Sequence, residues 1–267
     1  MEVEEERITG NTQWDGLGRP AIFYAMISIW CGIFLSVVDG NICNVALPVI
    51  AQELGVPSAD SIWVINAFQL VVMMVLLPFS TLGELYSYKK VYLSGVAVFT
   101  AASALCTFSH TLLMLTVSRA VQGLGAAMIM SVNTSIAKLV FPRRHLGKGV
   151  GINATVVALS AVSGPSIAAA VLSLADWPWL FAINIPVGIL TFLMGWRFLP
   201  DNPTHIEGRR FNIGDALLNA AVFGLLIGCI EMYSHDVSSP VIICAVVLLG
   251  VLGAVYVRTQ LHRRYPM

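Results

Sequence analysis

Two charged residues stand inside long apolar runs of this chain, Asp39 and Arg119. A charge at the centre of a membrane-crossing helix costs about 2.5–3.5 kcal/mol on insertion scales, and such residues face a partner or a water-filled cavity. Asp39 lies about 18 residues into its run, or about 27 Å at helical rise. Arg119 lies about seven residues into a later run, or about 10 Å. If the two runs cross in opposite senses, both charges fall in the outer half of the layer, where a direct or water-bridged pair is geometrically allowed. Burial favours the neutral form of a carboxyl and a neighbouring guanidinium favours its charged form. A carboxyl that alternates between paired and free is therefore what proton coupling needs. The alternative reading of the same residues is a static ion pair that fixes helix packing, and Asp39 alone could attract a cationic substrate.

The residues around this pair narrow its setting. Ser36, Gly40, Asn41 and Asn44 make the first apolar run polar on several sides, so it must line an interior. Asn41 and Asn44 are candidate cavity-lining residues, and interhelical hydrogen bonding accounts for them equally well. Gln122 follows Arg119 on the same helical face, and Gly123, Gly125, Ala126 and Ala127 allow a second helix close by. Further on, Ser160, Gly164 and Ala168 recur every four residues and form a smooth stripe, beside a helix-kinking Pro165. Trp177 and Trp179 flank Pro178 as an interfacial aromatic belt would. Glu231 reads as a wetted carboxylate at an interface. The five cysteines lack paired spacing, so neither a metal site nor a disulfide framework is expected. No cofactor is implied.

The elements that must position these groups follow from composition. Of 267 residues 57% are hydrophobic and only 11% charged, with a mean hydropathy of +0.80. A soluble domain needs about a quarter of its residues charged, so lipid must solvate much of this chain. Zero net charge excludes a broad nucleic-acid-binding surface. Eight segments are long enough to span: about 21–50, 61–82, 89–108, 112–138, 148–174, 179–199, 213–233 and 240–257. Backbone groups in hydrocarbon must be satisfied locally, so all eight are expected as helices. An all-α membrane protein is the fold class predicted. The leader, residues 1–20, is acidic, and the run after it is too long and too interrupted for a cleavable signal. With that leader in the cytoplasm, fourteen of the fifteen Lys and Arg fall in cytoplasmic segments and only Arg119 lies within a span. Residues 200–212 read as a cytoplasmic linker between a six-helix bundle, 21–199, and a two-helix pair, 213–260. A cytoplasmic tail, 261–267, closes the chain.

Taken together the segments resemble the major facilitator superfamily, and within it the fourteen-span drug:proton antiporters. Asp39-Gly-Asn-Ile-Cys-Asn44-Val-Ala-Leu-Pro48 is similar to the signature D-x-x-x-x-N-V-A-L-P. Arg119-Ala-Val-Gln122-Gly123-Leu-Gly125 resembles R-x-x-Q-G-x-G, whose arginine the family implicates in proton coupling. Gly151 to Ala169 resembles the antiporter motif G-x8-G-x3-G-P-x2-G-G. Gly151, Gly164 and Pro165 are kept there, and Ser160, Ala168 and Ala169 replace the usual glycines. Trp177 to Gly188, with Asn184 and Pro186, is similar to W-R-W-x-F-x-x-N-x-P-x-G. The cytoplasmic latch G-x-L-x-D-R-x-G-R-K/R departs most. Glu84 keeps its acid and Lys89 and Lys90 its basic end, while both glycines and the first arginine are lost.

The resemblance implies a membrane transporter, not an enzyme: a six-helix bundle plus two linker spans that exports lipophilic, often cationic compounds in exchange for protons. Asp39, Arg119 and Gln122 would carry coupling and substrate contact. Complete members have a second six-helix half, which is expected to be missing here or carried by a separate chain. The alternative is a membrane protein that scaffolds or assembles without transporting. An intramembrane enzyme finds no H-E-x-x-H or G-x-S-x-G, and the five histidines sit in or beside loops. The expected site is the bacterial inner membrane, with the lipid bilayer, protons and a small molecule as partners.

Overall fold

The computed structural model describes residues 19–201, 211–234 and 239–262. Nearly all of the expected amino-terminal tail, most of the 200–212 linker, most of the 261–267 tail and the side chain of Glu231 lie outside the described residues. Among the described residues there are eight long helices: α1 (Arg19–Leu54), α2 (Trp63–Leu85), α3 (Tyr88–Thr107), α4 (Leu112–Val140), α5 (Leu146–Leu172), α6 (Asn184–Phe198), α7 (Ile213–Ser234) and α8 (Ser239–Leu261). Short helical turns at Ser58–Ser61, Arg143–His145 and Trp179–Ala182 precede α2, α5 and α6. Seven segments are long and apolar enough to cross a bilayer, and the apolar part of α7, Ile213–Cys229, is shorter. These are the eight expected spans.

Local chemistry sets the helix ends. The first span runs four residues past its expected end because Gly55, at φ 64°, closes it. Gly55 N–H donates to Gln52 (3.3 Å) and Val56 N–H to Ala51 (3.0 Å), the paired bonds of a Schellman cap. Ser87 Oγ accepts from Lys90 N–H at the start of α3 (3.3 Å), and Thr111 Oγ1 from Met114 N–H at the start of α4 (3.2 Å). Asn212 Oδ1 accepts from Gly214 and Asp215 N–H and starts α7. The sixth span is interrupted at Ile183. Pro186 has no N–H to give the carbonyl of Ala182, which ends the short turn there.

Small residues let α4 sit between α2 and α3. A Cβ on Gly125 would lie 2.5 Å from the Phe99 backbone nitrogen of α3. One on Gly123 would lie 2.5 Å from the Phe68 carbonyl of α2. On the other flank α1 packs against α5 and α6. The stripe Ser160, Gly164, Ala168 is buried, with Gly164 against Asn41 of α1. Gly151, Pro165 and Ala169 of the same motif are exposed. Large apolar side chains remain uncovered, including Leu174 (89% exposed), Val162 (77%) and Leu113 (75%). In water that surface would aggregate; in lipid it is solvated.

The helix pair α7 and α8 joins the bundle through α2. Pro78 inside α2 cannot donate to the carbonyl of Met74. Asn219 Nδ2 of α7 donates to that carbonyl instead, at 2.9 Å. Gly224, about one turn further on, leaves room for the Met74 side chain, whose Cε lies 3.1 Å from where a Cβ would be.

The aromatic pair near Pro178 does not form a uniform belt. Trp179 is exposed, but Trp177 is buried and meets Phe181 edge-on (6.2 Å, 83°). The turn at Pro178 leaves one indole buried and the other exposed. Cys43, Cys106 and Cys229 are buried, Cys31 is half-buried and Cys244 exposed.

Candidate functional site

Four helices converge on one buried polar cluster. Asp39 comes from α1, Ser103 and Cys106 from α3, Arg119 and Gln122 from α4, and Asn184 from the first residue of α6. Apolar residues surround it, among them Val38, Ile42, Cys43, Val64 and Leu180. The side chains of Asp39 and Arg119 are both 0% exposed. Within such a wall a charge survives only when it is paired and hydrogen-bonded.

The cluster meets that demand atom by atom. Arg119 Nη1 donates to Asp39 Oδ2 and also to Gln122 Oε1, at 2.6 Å for the latter. Arg119 Nε donates to the Val64 carbonyl of α2 (3.1 Å). Asp39 Oδ1 accepts from Gln122 Nε2 (3.0 Å) and Asn184 Nδ2 (2.6 Å). The Gln122 amide is oriented by its neighbours: the guanidinium can only donate, so Oε1 faces it and Nε2 must donate. Nε2 donates to Ser103 Oγ as well (2.9 Å), and the Ser103 hydroxyl donates to the Phe99 carbonyl (2.9 Å). Cys106 Sγ lies 3.6 Å from Gln122 Oε1 as a weak donor.

The guanidinium is also held flat. Its carbon lies 4.2 Å from the Phe68 ring centroid and 5.7 Å from that of Phe181, within cation–π reach. Arg119 Nη2 is buried and has no hydrogen-bond acceptor among the described residues. An unsatisfied donor of this kind costs about 1–3 kcal/mol.

The expected pairing of Asp39 with Arg119 and Gln122 is thus a direct contact. Asn184, a motif residue with no site role expected from the sequence, is a hydrogen-bond donor to Asp39. The signal was an asparagine in an apolar run just before Ile-Pro. Ser103 and the two phenylalanines carried no sequence mark beyond polarity or aromaticity. Asn41 is half-buried against Gly164 and donates to its own Val37 carbonyl (2.7 Å), while Asn44 is exposed and apart from the cluster. The expected role of Asp39 as a cation attractor finds no open oxygen, since both are engaged and buried.

The expected latch residues lie at the end of α2 and the start of α3. Glu84 is half-buried, Lys90 is exposed, and Lys89 Nζ approaches Asp201 Oδ2 after α6 (3.9 Å). Asp201 is 78% exposed, so this pair contributes little to stability.

A second polar chain lies nearer the basic end of the bundle. Trp30 Nε1 of α1 donates to Asn153 Oδ1 of α5 (2.9 Å). Asn153 Nδ2 donates to Asn133 Oδ1 of α4 (3.4 Å).

Comparison with known proteins agrees with this architecture. The chain is 44% identical, over 96% of its length, to an uncharacterised transporter, YebQ, of Escherichia coli K12, and covers 56% of that protein. It is 36% identical over 76% of its length to the riboflavin transporter RibZ of Clostridioides difficile, covering 44% of it. It is 29% identical over 84% of its length to a putative multidrug resistance protein, MdtD, of Escherichia coli O81, covering 47% of it. The chain thus spans about half the length of the curated relatives it matches. The sequence profile of the Major Facilitator Superfamily matches residues 29–257, which takes in every helix of the buried cluster and both helices of the added pair. With that profile matched over most of its length, the chain belongs to the Major Facilitator Superfamily.

Proposed function

We propose that this chain forms the amino-terminal half and linker pair of a proton-coupled exporter of lipophilic small molecules, with its amino terminus in the cytoplasm of a bacterial inner-membrane protein. The buried pair of Asp39 and Arg119 carries the reading. Protonation of Asp39 removes the charge that holds Arg119, Gln122 and Asn184 in one arrangement. The guanidinium then needs another acceptor, and α1, α4 and α6 can shift relative to one another. Return of the pair releases the proton on the other side. Substrate moves in the opposite sense along the face completed by a second six-helix half, supplied by the same gene product or by a separate chain. Relatives named for riboflavin transport and multidrug resistance support export or import of small molecules, and the cluster supports proton linkage.

A scaffold without transport is the second reading. The two separate in one assay. Cells expressing the chain, Asp39→Asn or Arg119→Ala are loaded with a fluorescent lipophilic dye, energised, and then treated with a protonophore. Efflux that collapses with the proton gradient and is lost in both variants supports the exporter. Absence of gradient-dependent efflux from cells with the intact chain refutes autonomous transport.

A further inference from the structure

The outer wall of the bundle is not flush between α3 and α6. The two helices meet where glycine admits a neighbour: Gly195 of α6 faces Leu93 of α3, and Gly188 faces Thr100. Beside that seam lies an open groove of about 380 Å³, walled by Ala97, Ala101 and Ala104 of α3 and by Gly188, Ile189 and Leu193 of α6. The alanines are too short to fill it, while Ile189 (52% exposed) and Leu193 (53%) form its other side. Thr100 Oγ1 donates to the Val96 carbonyl of its own helix (2.7 Å), so its polarity is satisfied locally. The groove is a slot for hydrocarbon.

One end of the slot is charged. Lys89 and Lys90 stand in the first turn of α3, and Arg197 in the last turn of α6. The contact of Lys89 with Asp201, just after α6, sets these two ends side by side (3.9 Å). Lys90 and Arg197 are both exposed. Lys90 precedes Ala97 by seven residues, about 700° or within about 20° of two full turns, so it lies on the groove's face of α3. Arg197 follows Leu193 by four residues and is its neighbour on α6. The Arg197 guanidinium carbon lies 5.6 Å from the Phe198 ring centroid, and that ring stacks on Tyr24 of α1 (4.8 Å), which braces the cation. Trp196, 63% exposed, adds an indole of the kind that sits at headgroup level.

The depth also fits. At helical rise the groove runs from about 6–10 Å to about 14–21 Å from the two bases. The hydrocarbon of one leaflet is about 15 Å deep, half of a core of about 30 Å. The slot therefore follows the acyl chains of one leaflet, with the bases where a headgroup would be. A second copy of this chain in the same orientation would bring Lys90 and Arg197 against their own counterparts, and like charges oppose such a contact.

We infer that the groove between α3 and α6 binds an anionic glycerophospholipid, one acyl chain lying in the slot and the phosphate held by Arg197 and Lys90. The guanidinium offers a phosphate its fork of donors, and the lysine a point charge. This site lies outside the Asp39 cluster and does not depend on what the chain transports.

The test is native mass spectrometry of the full chain released from detergent micelles, titrated with phosphatidylglycerol, phosphatidylcholine or inorganic phosphate. A base near an anionic lipid headgroup is worth about fivefold in affinity, so two should favour phosphatidylglycerol over phosphatidylcholine by roughly 25-fold at the first site. Lys90→Gln and Arg197→Gln should each weaken phosphatidylglycerol about fivefold and leave phosphatidylcholine unchanged, with Arg197→Lys in between. Ala101→Phe fills the slot and should remove the first site for both lipids. Ala97→Phe is the second filling variant, and size-exclusion profiles show which of them fold. Inorganic phosphate at matched concentration should not displace the lipid. Equal binding of the two lipids overturns the inference, as does an anionic preference that survives loss of both bases. A first site that persists in a well-folded filling variant, or that phosphate displaces, reduces it to surface charge and overturns the acyl slot. Chains that pair in lipid-free micelles and separate on Ala101→Phe give the groove to a second copy instead.

Discussion

Substituting Asp39→Asn and Arg119→Leu, singly and together, separates what the buried pair does for stability from what it does for protons. Both side chains are fully buried, so solvent screening is small. Two unit charges about 4 Å apart at an effective dielectric of about 20 attract by about 4 kcal/mol. Removing one partner strands the other, and such losses run at about 3–5 kcal/mol. Each single variant should therefore lose about 3–5 kcal/mol. In the double variant no charge is stranded, and Gln122 and Asn184 can still bond an amide oxygen at position 39. Replacement of a buried pair by neutral groups is often close to neutral, so the two losses should fail to add by about 3 kcal/mol or more. The assay is reversible unfolding of the purified chain in mixed micelles, with helix content followed as the denaturing detergent fraction rises. Losses that add to within about 0.5 kcal/mol would show that the groups do not couple, and the geometry would then have been misread. Transport completes the test. A double variant that is stable yet without gradient-dependent efflux assigns the pair to coupling; one that still couples efflux to protons refutes that role.

Other positions give sharper structural tests. Gly125→Val drives a side chain into the α3 backbone at Phe99. It should destabilise by about 1–3 kcal/mol, the usual cost of overpacking, measured in the same unfolding assay. Asn184→Leu removes one of the donors to Asp39 Oδ1 and should cost about 1–3 kcal/mol, with Asn184→Gln restoring part of it. Asn219→Leu deprives the Met74 carbonyl of its donor. It should reduce disulfide trapping between cysteines placed on facing positions of α2 and α7, whereas unchanged trapping would show that the bond does not hold the pair. Lys89→Ala should change stability by less than about 1 kcal/mol, because its partner is largely in solvent.

Much of the fold could be read from the sequence because the lipid requirement is severe. Long apolar runs can only be helices, and a buried charge in each of two runs must be explained by the other. Arg119 and Asp39 were legible for that reason, and Gln122 followed from helical spacing. Asn184 was harder, since it meets Asp39 across 145 positions and nothing local marks it as a ligand. Asn44 is exposed and lies apart from the buried cluster, and polarity in an apolar run does not by itself say which face of the helix a residue takes. Trp177 looked like an interfacial anchor by composition, and the turn at Pro178 buries it instead. Helix ends depended on single caps, such as Gly55, whose left-handed backbone is not encoded in hydropathy.

The bond from Asn219 to the carbonyl that Pro78 leaves bare makes two distant residues dependent on each other. A shortened protein lacking α7 and α8 would present an unpaired carbonyl in hydrocarbon, so the pair cannot be trimmed as a unit without a repair in α2. Pro78→Leu is that repair, since it returns the missing N–H to Met74. The proline works as a ratchet on domain architecture: once α2 carries it, loss of the added helices is penalised, whereas reversion at one position reopens the route to a bundle without them.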